Sequence, residues 1–136
     1  MPTPLHNLFA VVLAAGRSSR FGSTKQAATL DETPLVRRAI DTAASACEDR
    51  VITVIGHDAA TVFQAMDTDS GFIIVNEAYE EGLGSSMAAA VRACGAYADA
   101  LLLLLADQAL VTAKHLQTLI DAWSGTDDEI VATAYD

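Results

Sequence analysis

Apolar residues run without a break from Leu8 to Leu13, then give way at Ala14 to small, polar and basic residues. Such a run predicts a strand covered on both faces, since a half-exposed strand would alternate. Residues 27–30 read as a short extended piece, with a turn at Asp31 and Glu32. Thr33 is a capping residue and Pro34 suits a first helical position. Val36, Ala39, Ile40, Ala43 and Cys47 follow at helical spacing. Residues 49–55, with five β-branched side chains in a row from Val51, predict a second main strand. A turn at 56–58 leads to a helix capped by Asp58, with Ala59, Val62, Phe63 and Met66 inward. Residues 71–75 predict a third strand, and 76–86 a loop that is first acidic and then rich in glycine. Gly84 or Ser85 opens a helix with Met87, Ala90, Val91 and Cys94 inward. Residues 100–105 end in five consecutive leucines and predict the most buried strand. Thr112 caps a helix with Leu116, Leu119, Ile120 and Trp123 inward, and a turn at 124–128 precedes a last strand at 130–134.

Strands alternating with helices predict an α/β fold with a parallel sheet, helices on both faces and right-handed crossovers. The 136 residues fit a single domain, residues 1–136. With 51% hydrophobic residues the chain can bury a real core. Cys47 and Cys94 have no metal-ligand spacing and fall on predicted inner helix faces, so core packing is expected and a disulfide is not.

Charge singles out one loop. The net charge is −10, yet residues 1–30 carry Arg17, Arg20 and Lys25 and no acid, for +3. The remaining 106 residues hold five basic and 18 acidic side chains, for −13. The acidic balance argues against nucleic acid or an anionic membrane as partner. A small basic loop at the carboxyl end of a parallel strand suits an anion, with backbone N–H groups and cations forming a polyphosphate cradle. Gly16 and Gly22 let that backbone pass close to a ligand. The spacing is neither G-x-G-x-x-G nor G-x-x-x-x-G-K-[ST], so two familiar phosphate loops are excluded. A signal peptide is not expected either: no basic segment precedes Leu8, and Arg17 and Arg20 follow the apolar run. These features predict a soluble cytoplasmic protein.

The stretch from Leu13 through Ala14, Ala15, Gly16, Ser18, Arg20, Phe21 and Gly22 to Lys25 resembles the pattern L-A-[AG]-G-x-S-x-R-[FM]-G-x-x-K, and meets each fixed position of it. That pattern marks the nucleotidyltransferases of molybdenum cofactor biosynthesis. The resemblance implies a three-layer, Rossmann-like nucleotidyltransferase domain of which this chain is the front part. In that family the domain continues with further strands, helices and a second acidic motif. It implies in-line attack of an acceptor phosphate on the α-phosphorus of a nucleoside triphosphate, with release of pyrophosphate. Arg20 and Lys25 would hold the β- and γ-phosphates, and Asp107 would hold Mg²⁺. Asp107 and Gln108 follow the leucine run as an Asp-Gln pair does in the family, although Ala109 stands where proline is usual.

Further nucleotide contacts are expected from the backbone of Leu13, Ala14, Ala15 and Gly16, from Asn76 at a strand end, and from the loop Gly82, Gly84, Ser85 and Ser86. The resemblance also implies CTP as donor, molybdopterin as acceptor, and a molybdenum hydroxylase or its maturation factor as recipient. Alanine at position 15 goes with cytidylyl transfer in that family, and its methyl is expected to exclude a purine. Two alternatives stay open: a nucleotidyltransferase using GTP or a sugar or polyol phosphate, and a non-catalytic protein that binds a nucleotide or molybdopterin. His6, His57 and His115 share no ligand spacing and read as surface or structural residues.

Overall fold

The computed structural model describes residues 7–15, 29–30, 33–66, 71–107 and 111–123. Strand β1 (Leu8–Ala14) lies inside a four-stranded sheet with β4 (Val51–Ile55), β5 (Phe72–Val75) and β6 (Ala100–Leu105), in the order β5–β4–β1–β6. All three pairings are parallel. β1 matches β4 from Ala10 opposite Val51 to Ala14 opposite Ile55. It matches β6 from Leu8 opposite Ala100 to Leu13 opposite Leu105. Two short strands, β2 (Thr29–Leu30) and β3 (Thr33–Pro34), pair antiparallel beside the sheet. The helices are α1 (Leu35–Cys47), α2 (Ala59–Met66), α3 (Leu83–Cys94) and α4 (Ala113–Ala122).

The unbroken apolar run of β1 has the predicted cause. Ala10 and Val12 point to a core shared with Val36 and Ile40 of α1, Val62 of α2 and Leu116 of α4. Val11 and Leu13 point the other way, to Ala90 and Cys94 of α3. Uniform right-handed crossovers require this division. Two steps from β1 outward put α1 and α2 on one face, and the step back past β1 to β6 puts α3 on the other. Both cysteines are buried and unbridged, and burial pushes both thiols up, which keeps them protonated at neutral pH. Among the described residues no helix is long and apolar enough to cross a membrane.

Several expectations are corrected. Thr33 and Pro34 are extended because they pair with β2, so Pro34 becomes the residue before α1, which starts at Leu35 without a side-chain cap. Helix α3 starts at Leu83, one residue earlier than expected, because Gly82 takes φ 101° and turns the chain into it. On α2, Phe63 is 54% exposed, and on α3 Val91 is exposed while Ser86 and Ala89 are buried. The leucine run is not the most buried strand: β1 and β4 are, and Leu103 of β6 is 41% exposed. Among the described residues β6 pairs with β1 alone, and α3 lies over β1 and β4. Thr112 does cap α4, its hydroxyl accepting from the His115 N–H at 3.1 Å. The turn at 124–128 and the strand at 130–134 lie outside the described residues, as do residues 27–28.

One core position is polar without compensation. Thr53 of β4 is 1% exposed, and its hydroxyl has no hydrogen-bond partner. Valine has nearly the same shape and keeps the β-branch that suits a strand. Thr53→Val should therefore stabilise the protein by about 1–2 kcal/mol. The check is the urea midpoint at unchanged slope; a lower midpoint would show that the hydroxyl has a partner in solution.

Candidate functional site

The parallel register brings the carboxyl ends of all four strands to one edge. Ala106, just past β6, donates its N–H to the Leu13 carbonyl at 3.0 Å. His57, past β4, donates to the Ala15 carbonyl at 3.1 Å. Asn76, past β5, donates to the Ile55 carbonyl at 2.7 Å. Chain order reverses between β1 and β6, since β1 is followed in space by β4 on one side and β6 on the other. Open α/β sheets bind ligands at that reversal, outside the carboxyl ends. The last paired residues there are Leu13 and Leu105. Two residues further on each strand stand Ala15 and Asp107. Asp107 is exposed, and Ala15 leads directly into Gly16 and the basic loop. Gly16, Arg17, Arg20 and Lys25 themselves lie outside the described residues.

Asn76 is at the expected edge but is occupied differently. It is 5% exposed. Its amide nitrogen donates to Ser85 Oγ at 2.9 Å and to Ser86 Oγ at 3.0 Å. Its carbonyl oxygen accepts from the Ala78 N–H at 3.1 Å. Both amide protons are thus engaged inside the fold, on the Ser85 and Ser86 hydroxyls. Ser85 is likewise engaged: its hydroxyl proton faces the carbonyls of Gly82 at 2.7 Å and Ala78 at 3.1 Å. Ser86 is buried. Outward this segment presents Gly82, Leu83 and Gly84, all exposed, with open space where a Cβ would stand at both glycines.

Two further residues shape this edge without a sequence signal that singled them out. Gly56 sits where a Cβ would come within 2.8 Å of the Asn76 carbonyl and of Tyr79 Cβ, and 3.1 Å from Ala15 Cβ. Tyr79 lies in a single 3-10 turn (Tyr79–Glu81) and its ring meets His57 at 5.7 Å, tilted by 59°. The glycine keeps Ala15, the β5 end and the Tyr79 turn in contact. A glycine just past a predicted strand was the available clue. The Ala15 methyl belongs to this packing: the residue is 3% exposed and its Cβ faces Gly56. Steric exclusion of a purine by that methyl does not fit this geometry, because the methyl is turned into the core.

Among the described residues no group of three His, Cys, Asp or Glu side chains could hold a metal ion. Asp107 supplies one exposed carboxylate, a hard oxygen donor. Mg²⁺ is commonly held by one or two carboxylates with substrate phosphates filling further positions. The donor set therefore fits a metal that arrives with a polyphosphate rather than one caged by protein alone. His57 and His115 are both half-buried, on separate elements, and His6 lies outside the described residues.

A family model described as the MobA-like NTP transferase domain matches residues 10–136. Among curated proteins, the bifunctional protein GlmU of Geobacter sulfurreducens is 26% identical over 124 residues, covering 90% of this chain and 26% of that protein. Among solved structures, the Rv0371c protein of Mycobacterium tuberculosis superposes with a TM-score of 0.77 and 33% identity, covering 88% of this chain and 61% of that one. A complex of Rv0371c with manganese matches with a TM-score of 0.71 and 30% identity, over 85% of this chain and 58% of that one. A nucleotidyl transferase from Methanothermobacter gives 0.76 and 28%, over 85% of this chain and 57% of that one. The chain thus spans about a quarter of its curated relatives and about three fifths of the solved ones.

Proposed function

This chain belongs to the MobA-like NTP transferase family, and from that premise we propose that it serves metal-dependent nucleotidyl transfer from a nucleoside triphosphate to an acceptor phosphate, with release of pyrophosphate. The observation that carries the reading is the placement of Asp107, two residues past Leu105, at the sheet reversal where Leu105 pairs with Leu13 and β1 leads into the basic stretch of the sequence. Asp107 would hold Mg²⁺. Arg20 and Lys25 would hold the β- and γ-phosphates and the charge that develops on leaving pyrophosphate. The Mg²⁺ ion supplies charge neutralisation when bound. Little bond-making by side chains is needed, because alignment and electrostatic stabilisation carry most of the catalysis in phosphoryl chemistry.

For the substrates, the proposal is CTP as donor and molybdopterin as acceptor. Support comes from the full match of residues 13–25 to the pattern of the molybdenum cofactor enzymes, with alanine at position 15. Since the Ala15 methyl faces Gly56, selection between bases falls to the backbone at 15–16 and to the exposed edge of the Gly82–Ser86 loop. The test is steady-state pyrophosphate release with Mg²⁺, comparing CTP with GTP and molybdopterin with sugar and polyol phosphates. CTP should be preferred by about tenfold or more, the range that close packing around a base supplies. Preference for GTP overturns the donor, and turnover with a sugar phosphate alone overturns the acceptor. Nucleotide binding without pyrophosphate release from any acceptor would favour the non-catalytic reading.

A further inference from the structure

We propose that Asn76 is a positioning residue of the nucleotide site, which fixes the turn at Gly82 and the first turn of α3, through Ser86, and does not itself touch the nucleotide. The inference rests on the nucleotidyltransferase reading. Its basis is the geometry of one carboxamide. Asn76 stands at the carboxyl end of β5, held to β4 by its own backbone N–H on the Ile55 carbonyl. Its side chain then reaches forward nine and ten residues to two consecutive hydroxyls, and two residues to a backbone N–H. Those three bonds span the 3-10 turn and the start of α3. They tie the beginning and the end of the loop to one rigid strand end.

The loop needs such a tie. Gly82 takes a positive φ, α3 has no side-chain cap, and Gly82 and Gly84 have no side chains to pack. Besides the backbone bonds within α3, the segment is held by the Ser85 hydroxyl contacts to Ala78 and Gly82 and by backbone bonds from Glu81, Gly82 and Ser85; the Asn76 carboxamide is what joins it to the end of β5. On the far side, Gly56 lets the Asn76 carbonyl lie against the β4 end and Ala15. Asn76 therefore joins the end of β5 to the segment that would lie along base and ribose through its carboxamide, while its backbone carbonyl packs at Gly56. A carboxylate in its place would keep the bond from Ala78 N–H but could not donate to two hydroxyls.

The distinguishing experiment is a double-mutant cycle on the full chain, with Kd for a non-hydrolysable CTP analogue by calorimetry and with KM and kcat alongside. Asn76→Ala should raise Kd and KM about tenfold and change kcat by no more than about twofold, because the hydrogen bonds it removes lie away from the reacting phosphates. Ser85→Ala combined with Ser86→Ala should raise Kd similarly. In that double background Asn76→Ala should add less than twofold, because the side chain no longer has either hydroxyl to bind. Additive losses overturn the proposal, since they mean that Asn76 contacts the nucleotide by itself. If Asn76→Ala does not fold, Asn76→Asp and Ser86→Ala replace it, read by amide hydrogen exchange at residues 82–85. Faster exchange there, matched by the rise in Kd, supports the proposal; a rise in Kd with unchanged exchange overturns it. Failure of the natural protein to bind the analogue removes the nucleotide reading itself, an outcome separate from additivity.

Discussion

Asp107→Asn is expected to abolish metal-dependent pyrophosphate release, with a loss of at least about 10³-fold in kcat. The change is nearly isosteric and removes one negative charge. Asp107 is exposed and sits two residues past the last β6 pair. Stability should shift by no more than about 0.5 kcal/mol, as for other surface substitutions. If the carboxylate acts by holding Mg²⁺, nucleotide binding measured without metal should stay within a few-fold of the natural protein, while the gain in affinity on adding Mg²⁺ should vanish. That pair of measurements separates a metal ligand from a residue that touches the nucleotide directly. Unchanged Mg²⁺-dependent pyrophosphate release in the variant would falsify the assignment.

Lys25→Ala should lower kcat/KM by about 10²-fold or more, the usual consequence of losing a preorganised contact to developing charge. Arg17→Ala should do much less. Both side chains add one positive charge to the same short loop, but the pattern they belong to fixes position 25 and leaves position 17 open. The comparison therefore isolates geometry from general charge. Salt gives an independent readout. Long-range attraction between solvent-exposed charges is largely screened beyond about 8 Å at physiological ionic strength. The effect of Arg17→Ala should fade as salt rises, and that of Lys25→Ala should persist. Equal losses at both positions, fading together with salt, would mean that the loop works as a diffuse positive patch.

Much of the fold was legible because its signals are local. The continuous apolar run of β1, the β-branched run of β4 and the helical spacing of Val36, Ala39, Ile40 and Ala43 each report burial of the segment that carries them. Hydrophobicity alone does not report place within a sheet. Five leucines made β6 look the most buried, but among the described residues it pairs with β1 alone, and Leu103 is left exposed. Phe63 and Val91 failed for a related reason: helical spacing gives a face, and the width covered depends on what packs against it. At the site, Asp107 was found because it directly follows a strand. The place of Asn76 at a strand end was legible but its hydrogen-bond partners were not, since they lie nine and ten residues away and no periodicity connects them. Gly56 was read as a turn residue, while its necessity comes from Asn76, Tyr79 and Ala15 converging on it.

The position of β1 between β4 and β6 has a consequence for how the chain is made. Its pairing with β4 joins residues 41 apart, and its pairing with β6 joins residues 92 apart. The longer closure costs only about 0.6 kcal/mol more, because loop entropy grows slowly with length. Time is affected more than free energy. At synthesis rates of about 5–20 residues per second, roughly 5–20 seconds separate the emergence of β1 from that of its second partner. Throughout that interval one hydrogen-bonding edge of an almost wholly apolar strand has no mate. An unpaired apolar edge is an aggregation hazard, so the nascent chain should depend on chaperone cover from the time β1 emerges until β6 follows it.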